Sequence, residues 1–238
     1  KFESINRPTA GSQRTAELPM GKHPFQLYSL ATPNGIKVTV LLEELLELGF
    51  EGAEYDAFQI RITDGDQFGS GFVELNPNSK IPVLLDRSTK PATRIFESGA
   101  ILMYLGERSG KLYPEKNKNL INQWLMGQMA YVGPMLGQHH QFHHYNSGKS
   151  NWGEERYFKI AKTIYKDLDE RLGKSEFLAG DYSIADIATF PWIARHEWHD
   201  IGLKSFKNLC RWYENISKRE AVIKGFDLLK RDEKIPTI

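Results

Sequence analysis

Cysteine is almost missing from this sequence, since Cys210 is the single one among 238 residues. The chain therefore forms no disulfide with itself and has no Cys-x-x-Cys dithiol, which excludes redox chemistry by a pair of its own thiols. So little cysteine is typical of a reducing compartment, and we expect a cytoplasmic location. Thiol chemistry here must use Cys210 or a sulfur that a bound molecule supplies.

Long apolar runs and an excess of one charge are missing too. No apolar stretch reaches the roughly 18 residues of a membrane helix, so we expect no membrane partner. The net charge is +1. Residues 1–108 hold 11 basic and 14 acidic side chains, and the remainder holds 20 and 16, so neither part has the basic character typical of nucleic-acid binding. The chain begins at Lys1, which leaves a removed targeting segment open.

The first hundred residues alternate strand and helix patterns. Residues 1–24 predict an irregular arm, and 59–70 predict a polar, glycine-rich loop. Apolar residues at helical spacing predict one helix that Gly49 ends and another that Ser98 begins. The predicted strands are 25–29, 53–58, 82–85 and 93–96. This order predicts a four-stranded mixed sheet covered by helices, an α/β thioredoxin-like domain at 25–108.

The second half has a different character. A polar segment at 109–118 predicts a linker, and 119–238 shows helical periods without strand alternation, which predicts an all-helical domain. The predicted helices are 119–145, 154–172, 184–195, 204–218 and 220–230. Ser183 and Asp186 have the spacing of a capping box, which makes Asp186 structural rather than catalytic.

The turn after the first strand is the first candidate for chemistry. Thr32, Pro33, Asn34 and Gly35 precede a helix whose first N–H groups lack internal partners. These donors and the helix dipole favour an anion such as a thiolate, and Thr32 and Asn34 add side-chain donors. The alternative is an ordinary capped turn, because Thr, Asn and Gly are common turn residues.

The second candidate is the segment around Pro82. If the Ile81–Pro82 bond is cis, the backbone N–H and C=O of Ile81 can pair with an extended peptide as an added strand does. Lys80 beside it can meet a carboxylate, or it is a solvated surface lysine.

The third candidate joins Glu97 to Ser98. Ser98 can cap a helix whose N-terminus binds a carboxylate, and Glu97 can hold a cation. Together they fit the ammonium and carboxylate of an amino acid, although an ordinary cap with a solvated Glu97 is the alternative. A peptide with an amino-acid head, a backbone-paired middle, a terminal carboxylate and a sulfur would engage all three segments, and glutathione has this layout.

The sequence also resembles a known family over essentially its whole length. The distinctive runs are LYSLATPNGIKV at 27–38, LEELLELG at 42–49, RITDGDQFGSGFVELNPNSKIP at 61–82, FESGAILMYL at 96–105 and FLAGDYSIADIATFPW at 177–192. They are similar to those of the glutathione transferases, most closely the bacterial nu class, which includes glutathione-dependent disulfide-bond oxidoreductases.

The resemblance implies a site and an activity. Glutathione would be the co-substrate, without a metal, and the chain would form a homodimer. The implied glutathione-binding residues are Asn6, Thr32, Pro33, Asn34, Gln67, Lys80, Ile81, Glu97, Ser98, Gln128 and Arg156. Thr32 and Asn34 would lie nearest the sulfur. Members of this class can hold two glutathiones, or their disulfide, in one site, and the sequence leaves open whether this site holds one or two.

Three activities are compatible with such a site. The leading hypothesis is disulfide reduction, in which bound glutathione is the nucleophilic thiol, with weak transferase or peroxidase side activity. The alternatives are conjugation of glutathione to small electrophiles and a non-catalytic, glutathione-binding regulator. Tyr131, Trp192 and Trp198 could line an apolar pocket for an electrophile, but such aromatic residues more often belong to the core.

Four histidines and the cysteine need separate interpretation. His139, His140, His143 and His144 form two i,i+4 pairs, a spacing that can bind zinc, but no Cys or carboxylate accompanies them nearby. We expect them to be wall or surface residues of a cleft. We expect Cys210 to be a small, inert core residue.

Overall fold

The computed structural model describes residues 11–230, 232 and 234–238. The expected contribution of Asn6 therefore lies outside the described residues. The chain divides into two compact units, Lys1–Leu105 with Lys224–Glu233, and Gly106–Ile223 with Lys234–Ile238. The division falls a few residues before the expected linker at 109–118. The segment Lys224–Glu233, which comes late in the chain, belongs to the first unit.

The sheet of the first unit has the predicted mixed pattern. Its strands are β1 Phe25–Ser29, β2 Tyr55–Gln59, β3 Val83–Asp86 and β4 Thr93–Phe96, in the order β2-β1-β3-β4. β1 runs parallel to β2 and antiparallel to β3, and β3 pairs with β4 as a hairpin. A parallel pair needs a crossover, which helix α1 Pro33–Glu47 provides.

Local sequence determines where α1 begins and ends. Thr32 is its N-cap, with Oγ1 accepting from the N–H of Gly35, and Pro33 occupies the first helical position, where a missing N–H costs nothing. Gly49 follows the helix with φ of +69°, a conformation that glycine adopts without strain. The predicted helix and its stop are confirmed.

The segment that follows β2 differs from expectation. The predicted loop 59–70 contains two 3₁₀ turns, Ile62–Asp64 and Asp66–Phe68, and its last residue begins helix α2 Ser70–Leu75. α2 has six residues, too few to show a period in the sequence. Its Phe72 is fully buried, which explains why this short helix is held against the sheet unit.

Helices make up the second unit, as predicted. Helix α3 Ser98–Ser109 leads into it, followed by a 3₁₀ turn at Glu115–Asn117. The next helices are α4 Lys118–Gly127, α5 Gly133–His139, α6 Asn151–Leu172, α7 Ile184–Ile193, α8 His196–His199, α9 Lys207–Ser217 and α10 Glu220–Asp227, and α10 belongs to the first unit from Lys224 onward. Two π-helical segments, Gln128–Val132 and His140–Tyr145, interrupt the predicted helix 119–145. No helix within the described part of the chain is long and apolar enough to cross a membrane.

The capping box at the start of α7 is present. Asp186 accepts from the backbone N–H of Ser183 at 3.1 Å, and the Ser183 side chain accepts from the helix backbone. Asp186 also accepts from the indole N–H of Trp212 at 2.8 Å and from the N–H of Leu178 at 2.9 Å. Its carboxylate is completely buried and holds these segments together, which confirms its structural role.

Candidate functional site

A cleft of about 180 Å³ lies in the first unit where the three candidate segments meet. The residues that line it are Asn34, Asn76, Lys80, Ile81, Pro82, Glu97 and Ser98. Every one except Asn76 comes from the segments that the sequence singled out. The structure thus brings together the start of α1, the segment before β3 and the start of α3.

The start of α1 combines a helix cap with a side chain that lines the cleft. Thr32 Oγ1 lies 3.3 Å from the N–H of Gly35, so the hydroxyl acts as a cap, the ordinary function weighed above. Thr32 is outside the set of described residues that line the cleft, whereas Asn34 belongs to it. Tyr28 and Ser29, at the end of β1, are fully buried. The side chain that α1 presents to the cleft is therefore Asn34.

The segment before β3 has the geometry that the second candidate required. The Ile81–Pro82 peptide bond is cis. Asn76 braces this segment, because its side-chain amide donates to the carbonyl of Lys80 at 2.7 Å and its Oδ1 accepts from the N–H of Asn78 at 2.9 Å. Asn76 was not predicted, although the Asn-Pro dipeptide that it begins is a turn signal.

The junction between β4 and α3 corrects one expectation. Ser98 is the first helical residue rather than the N-cap, since the carbonyl of Glu97 already accepts from the N–H of Ile101 at 3.0 Å. Glu97 has φ of +70°, an uncommon backbone conformation for a residue with a side chain. Glu97 and Ser98 thus line the cleft at a helix N-terminus, which favours a carboxylate.

A buried lysine lies behind this junction. Lys37, on α1, is fully buried, and its Nζ donates to Ser98 Oγ at 3.2 Å. Burial lowers the pKa of Lys37 to about 7, and the Glu97 carboxylate opposes that shift. Sequence reasoning missed Lys37, because an isolated lysine in an amphipathic helix is normally solvated.

Gln67 lies apart from the cleft lining. It is buried in the second 3₁₀ turn, where its amide N–H donates to the carbonyl of Ile62 at 3.3 Å. Its Oε1 is buried without a hydrogen-bond partner among the described residues. Arg14 and Arg61 pair with Asp66 beside it and hold the turn in place.

Gln128 and Arg156 belong to the second unit. Gln128 is buried at the start of the first π-helical segment. Arg156 lines an open pocket of about 330 Å³ on α6, where its guanidinium carbon lies 5.5 Å from the Trp152 ring centroid. Trp152 is 70% exposed, so this pocket presents both a cation and an aromatic face.

The histidine expectation was wrong for two of the four residues. His139 and His140 are buried in the helical unit instead of lining a cleft or its surface. His140 Nε2 lies 2.8 Å from His199 Nε2, and the other ring nitrogen of His199 lies 2.6 Å from the Tyr165 hydroxyl. Burial lowers the pKa values of His140, to about 3, and of His199. The sequence could not show this pairing, since His199 lies 59 residues further on.

Cys210 also differs from expectation. It is partly exposed on α9 rather than in the core, and desolvation together with Glu214 raises its pKa, so it favours the thiol over the reactive thiolate. Of the aromatic residues considered for a pocket, Trp192 is in the core and Tyr131 is 41% exposed.

A thioredoxin-like sheet unit, a cis-proline cleft and a helical unit together define the class of glutathione transferase folds. The family model of the glutathione S-transferase N-terminal domain matches residues 23–107, and that of the C-terminal domain matches residues 154–220. The chain belongs to the glutathione S-transferase family.

The most similar proteins include enzymes and glutathione complexes. The disulfide-bond oxidoreductase YghU of Escherichia coli is 46% identical, with 94% of this chain and 81% of that protein covered. A Streptococcus pneumoniae glutathione transferase complexed with glutathione is 42% identical, with a TM-score of 0.91 and coverage of 99% and 94%. A Burkholderia graminis glutathione transferase with two glutathione molecules per subunit is 38% identical, with a TM-score of 0.81 and coverage of 88% and 90%.

Proposed function

We propose that this protein is a glutathione-dependent disulfide reductase in which bound glutathione supplies the nucleophilic sulfur. The observation that carries the proposal is the cleft itself. It combines Asn34 at a helix N-terminus, the backbone of Ile81 beside a cis-proline, and Glu97 with Ser98, but its described lining contains no cysteine. The similarity to a disulfide-bond oxidoreductase supports the same activity.

The proposed binding mode follows the layout of glutathione. The backbone of Ile81 pairs with the cysteinyl residue, and Lys80 meets the glycine carboxylate. Glu97 binds the α-ammonium of the γ-glutamyl head, while Ser98 and the N–H groups of α3 bind its α-carboxylate. The sulfur then lies near Asn34 and the N-terminus of α1, where Pro33 and Thr32 fix the backbone. The helix dipole and these donors lower the pKa of the thiol.

The proposed reaction needs two glutathiones and one substrate disulfide. The first thiolate attacks a substrate sulfur, which forms a mixed disulfide and releases one substrate thiolate that takes up a proton. The second glutathione thiolate attacks the glutathione sulfur of the mixed disulfide, which forms glutathione disulfide and releases the second substrate thiol. A related structure with two glutathione molecules per subunit supports this stoichiometry.

The finer assignments belong to the same proposal. Asn6, Gln67, Gln128 and Arg156 are proposed to help bind the second glutathione. We also propose that the protein belongs to the nu class, is located in the cytoplasm and forms a homodimer. We further propose that its activity requires no metal.

Two substitutions test the proposal. Cys210→Ala should retain disulfide reduction, because Cys210 has no part in the proposed chemistry. Asn34→Ala should lose roughly 100- to 1,000-fold in turnover on a small disulfide, the usual range for removing one donor that stabilises a reacting anion. Loss of reductase activity in Cys210→Ala with intact glutathione binding would show that the protein thiol reacts.

The substrate preference of the wild-type protein separates the proposal from its alternatives. Faster turnover on an aryl halide than on a disulfide would favour conjugation, and tight glutathione binding without turnover would favour a regulator.

A further inference from the structure

Lys37 is a charged side chain that the proposed mechanism leaves unused. It is fully buried on α1, in a run of apolar neighbours, at a position where leucine or methionine would fill similar space. Burying an ammonium group is costly unless its charge is used. The Nζ is directed to the Glu97–Ser98 junction, where it donates to Ser98 Oγ at 3.2 Å.

This hydrogen bond determines the role of the Ser98 hydroxyl. In its charged form Lys37 can only donate, so Ser98 Oγ is then the acceptor in the contact between them. The hydroxyl hydrogen of Ser98 therefore points away from Lys37. Ser98 also lines the cleft, and in the proposed complex its hydroxyl donates to a ligand oxygen there.

The charges around the Glu97–Ser98 junction suit a zwitterionic ligand, which carries both an ammonium and a carboxylate. Glu97 is negative and attracts an ammonium, but it repels a carboxylate bound beside it. A positive charge behind Ser98 offsets that repulsion, since a carboxylate on the cleft side of Ser98 would lie within about 6 Å of Nζ, close enough for strong attraction. The pKa of Lys37, lowered to about 7 by burial, means that a bound anion also favours the charged form.

We propose that Lys37 is the specificity residue for the α-carboxylate of the γ-glutamyl head, and that it acts through Ser98 and its own positive charge. The inference rests on the proposed glutathione site and deepens it. With this role, Lys37 makes the site prefer a head group that carries both the α-ammonium and the α-carboxylate. A head group that carries only the ammonium would bind more weakly.

The test compares two ligands on two variants by calorimetry. S-methylglutathione carries the α-carboxylate, and 4-aminobutanoyl-S-methylcysteinylglycine lacks only that group. The wild-type protein should prefer S-methylglutathione by about tenfold or more, typical of a charge-assisted contact. Lys37→Gln, which keeps a donor for Ser98 but no charge, should reduce the preference to within about twofold. Lys37→Met should do the same.

Lys80→Gln is the matched control, because it removes a lysine from the same cleft. It should keep the preference for the α-carboxylate and lose the preference for S-methylglutathione over S-methyl-γ-glutamylcysteine, which lacks the glycine. A folded Lys37→Gln protein that weakens both head-group ligands equally, or weakens neither, overturns the proposal. Far-UV circular dichroism establishes that each variant is folded.

A measurement on the wild-type protein covers the case in which the Lys37 variants do not fold. With ¹³Cε-labelled lysine at pH 8, S-methylglutathione should move one lysine resonance to the ammonium position, and the decarboxylated analogue should not. Absence of that shift overturns the proposal. If the wild-type protein binds neither ligand, the glutathione site and this inference both fail, whereas binding without disulfide turnover rejects the reductase activity alone.

Discussion

Gly225 on α10 lies directly against the backbone of Val40 on α1. A Cβ added to Gly225 would come within 2.6 Å of Val40 Cα, and the Gly225 carbonyl accepts from the hydroxyl of the neighbouring Thr39 at 2.6 Å. Only a glycine allows this approach. The position of α1, which carries both Asn34 and Lys37, therefore depends on a residue 186 positions after Thr39.

Gly225→Ala should displace α1 and weaken the site. We expect a loss of about 1–3 kcal/mol in the free energy of unfolding, as for other overpacked contacts, together with weaker glutathione binding. Urea unfolding and calorimetry measure the two effects. Unchanged values for both would show that α10 and α1 can separate without consequence.

Gly35→Ala should be more damaging, because it acts at the turn beside the cleft. The added Cβ would lie 2.0 Å from the carbonyl oxygen of Leu30 and 2.5 Å from Ser29 Oγ. We expect a loss of about 3 kcal/mol and little glutathione binding. The matched control is Gly127→Ala. Gly127 has helical angles, and no atom of the described residues outside its own helix backbone and chain neighbours lies within 4 Å of an added Cβ. This change should therefore increase stability by about 0.5–1 kcal/mol.

Asp186→Ala should destabilise the helical unit. The buried donors of Ser183, Leu178 and Trp212 would all lose their acceptor, which predicts a loss of about 3–5 kcal/mol. Asp181→Ala is the control, since the Asp181 side chain is 74% exposed and its ion pair with Lys116 contributes little. Thermal unfolding should show a lower melting temperature for Asp186→Ala than for Asp181→Ala.

The stability of the ligand-free protein should depend on pH through Lys37. Its pKa is about 7 in the folded state, against about 10.4 for an unfolded chain. Between these values the unfolded chain binds a proton that the folded protein does not, so stability rises with pH, by at most about 1.4 kcal/mol per pH unit. Lys37→Met lacks this contribution.

Urea unfolding of the wild-type protein and Lys37→Met at pH 6.5 and pH 9.5 measures this dependence. The stability of the variant relative to the wild-type protein should be largest at pH 6.5, and most of that advantage should be lost by pH 9.5. A pH-independent difference between the two proteins would mean that the Lys37 amine stays protonated after folding.

The sequence predicted the parts of the site that are built from neighbouring residues. The cap at Thr32, the strand after Pro82 and the helix that starts at Ser98 all follow from local signals, and the structure brings these segments to one cleft. The sequence likewise predicted Asn34 as a site residue, because it lies in the first turn of α1.

The missed residues depend on contacts between distant parts of the chain. Lys37 looks like a solvated lysine until the position of Ser98, 61 residues away, is known. The pairing of His140 with His199 has the same cause, and Asn76 is recognised only when its amide is seen to hold Lys80. Periodicity shows which face of a helix is apolar, but it does not show which polar group it meets.

The location of Cys210 has a consequence for durability under oxidative stress. A catalyst with its own reactive thiolate is lost when that sulfur is alkylated or oxidised to the sulfinic acid. Here the sulfur that reacts in the proposed mechanism leaves the protein after every cycle, and Cys210 lies on α9 with a raised pKa. Oxidants and electrophiles would then consume a replaceable co-substrate, and each new glutathione molecule would restore the site.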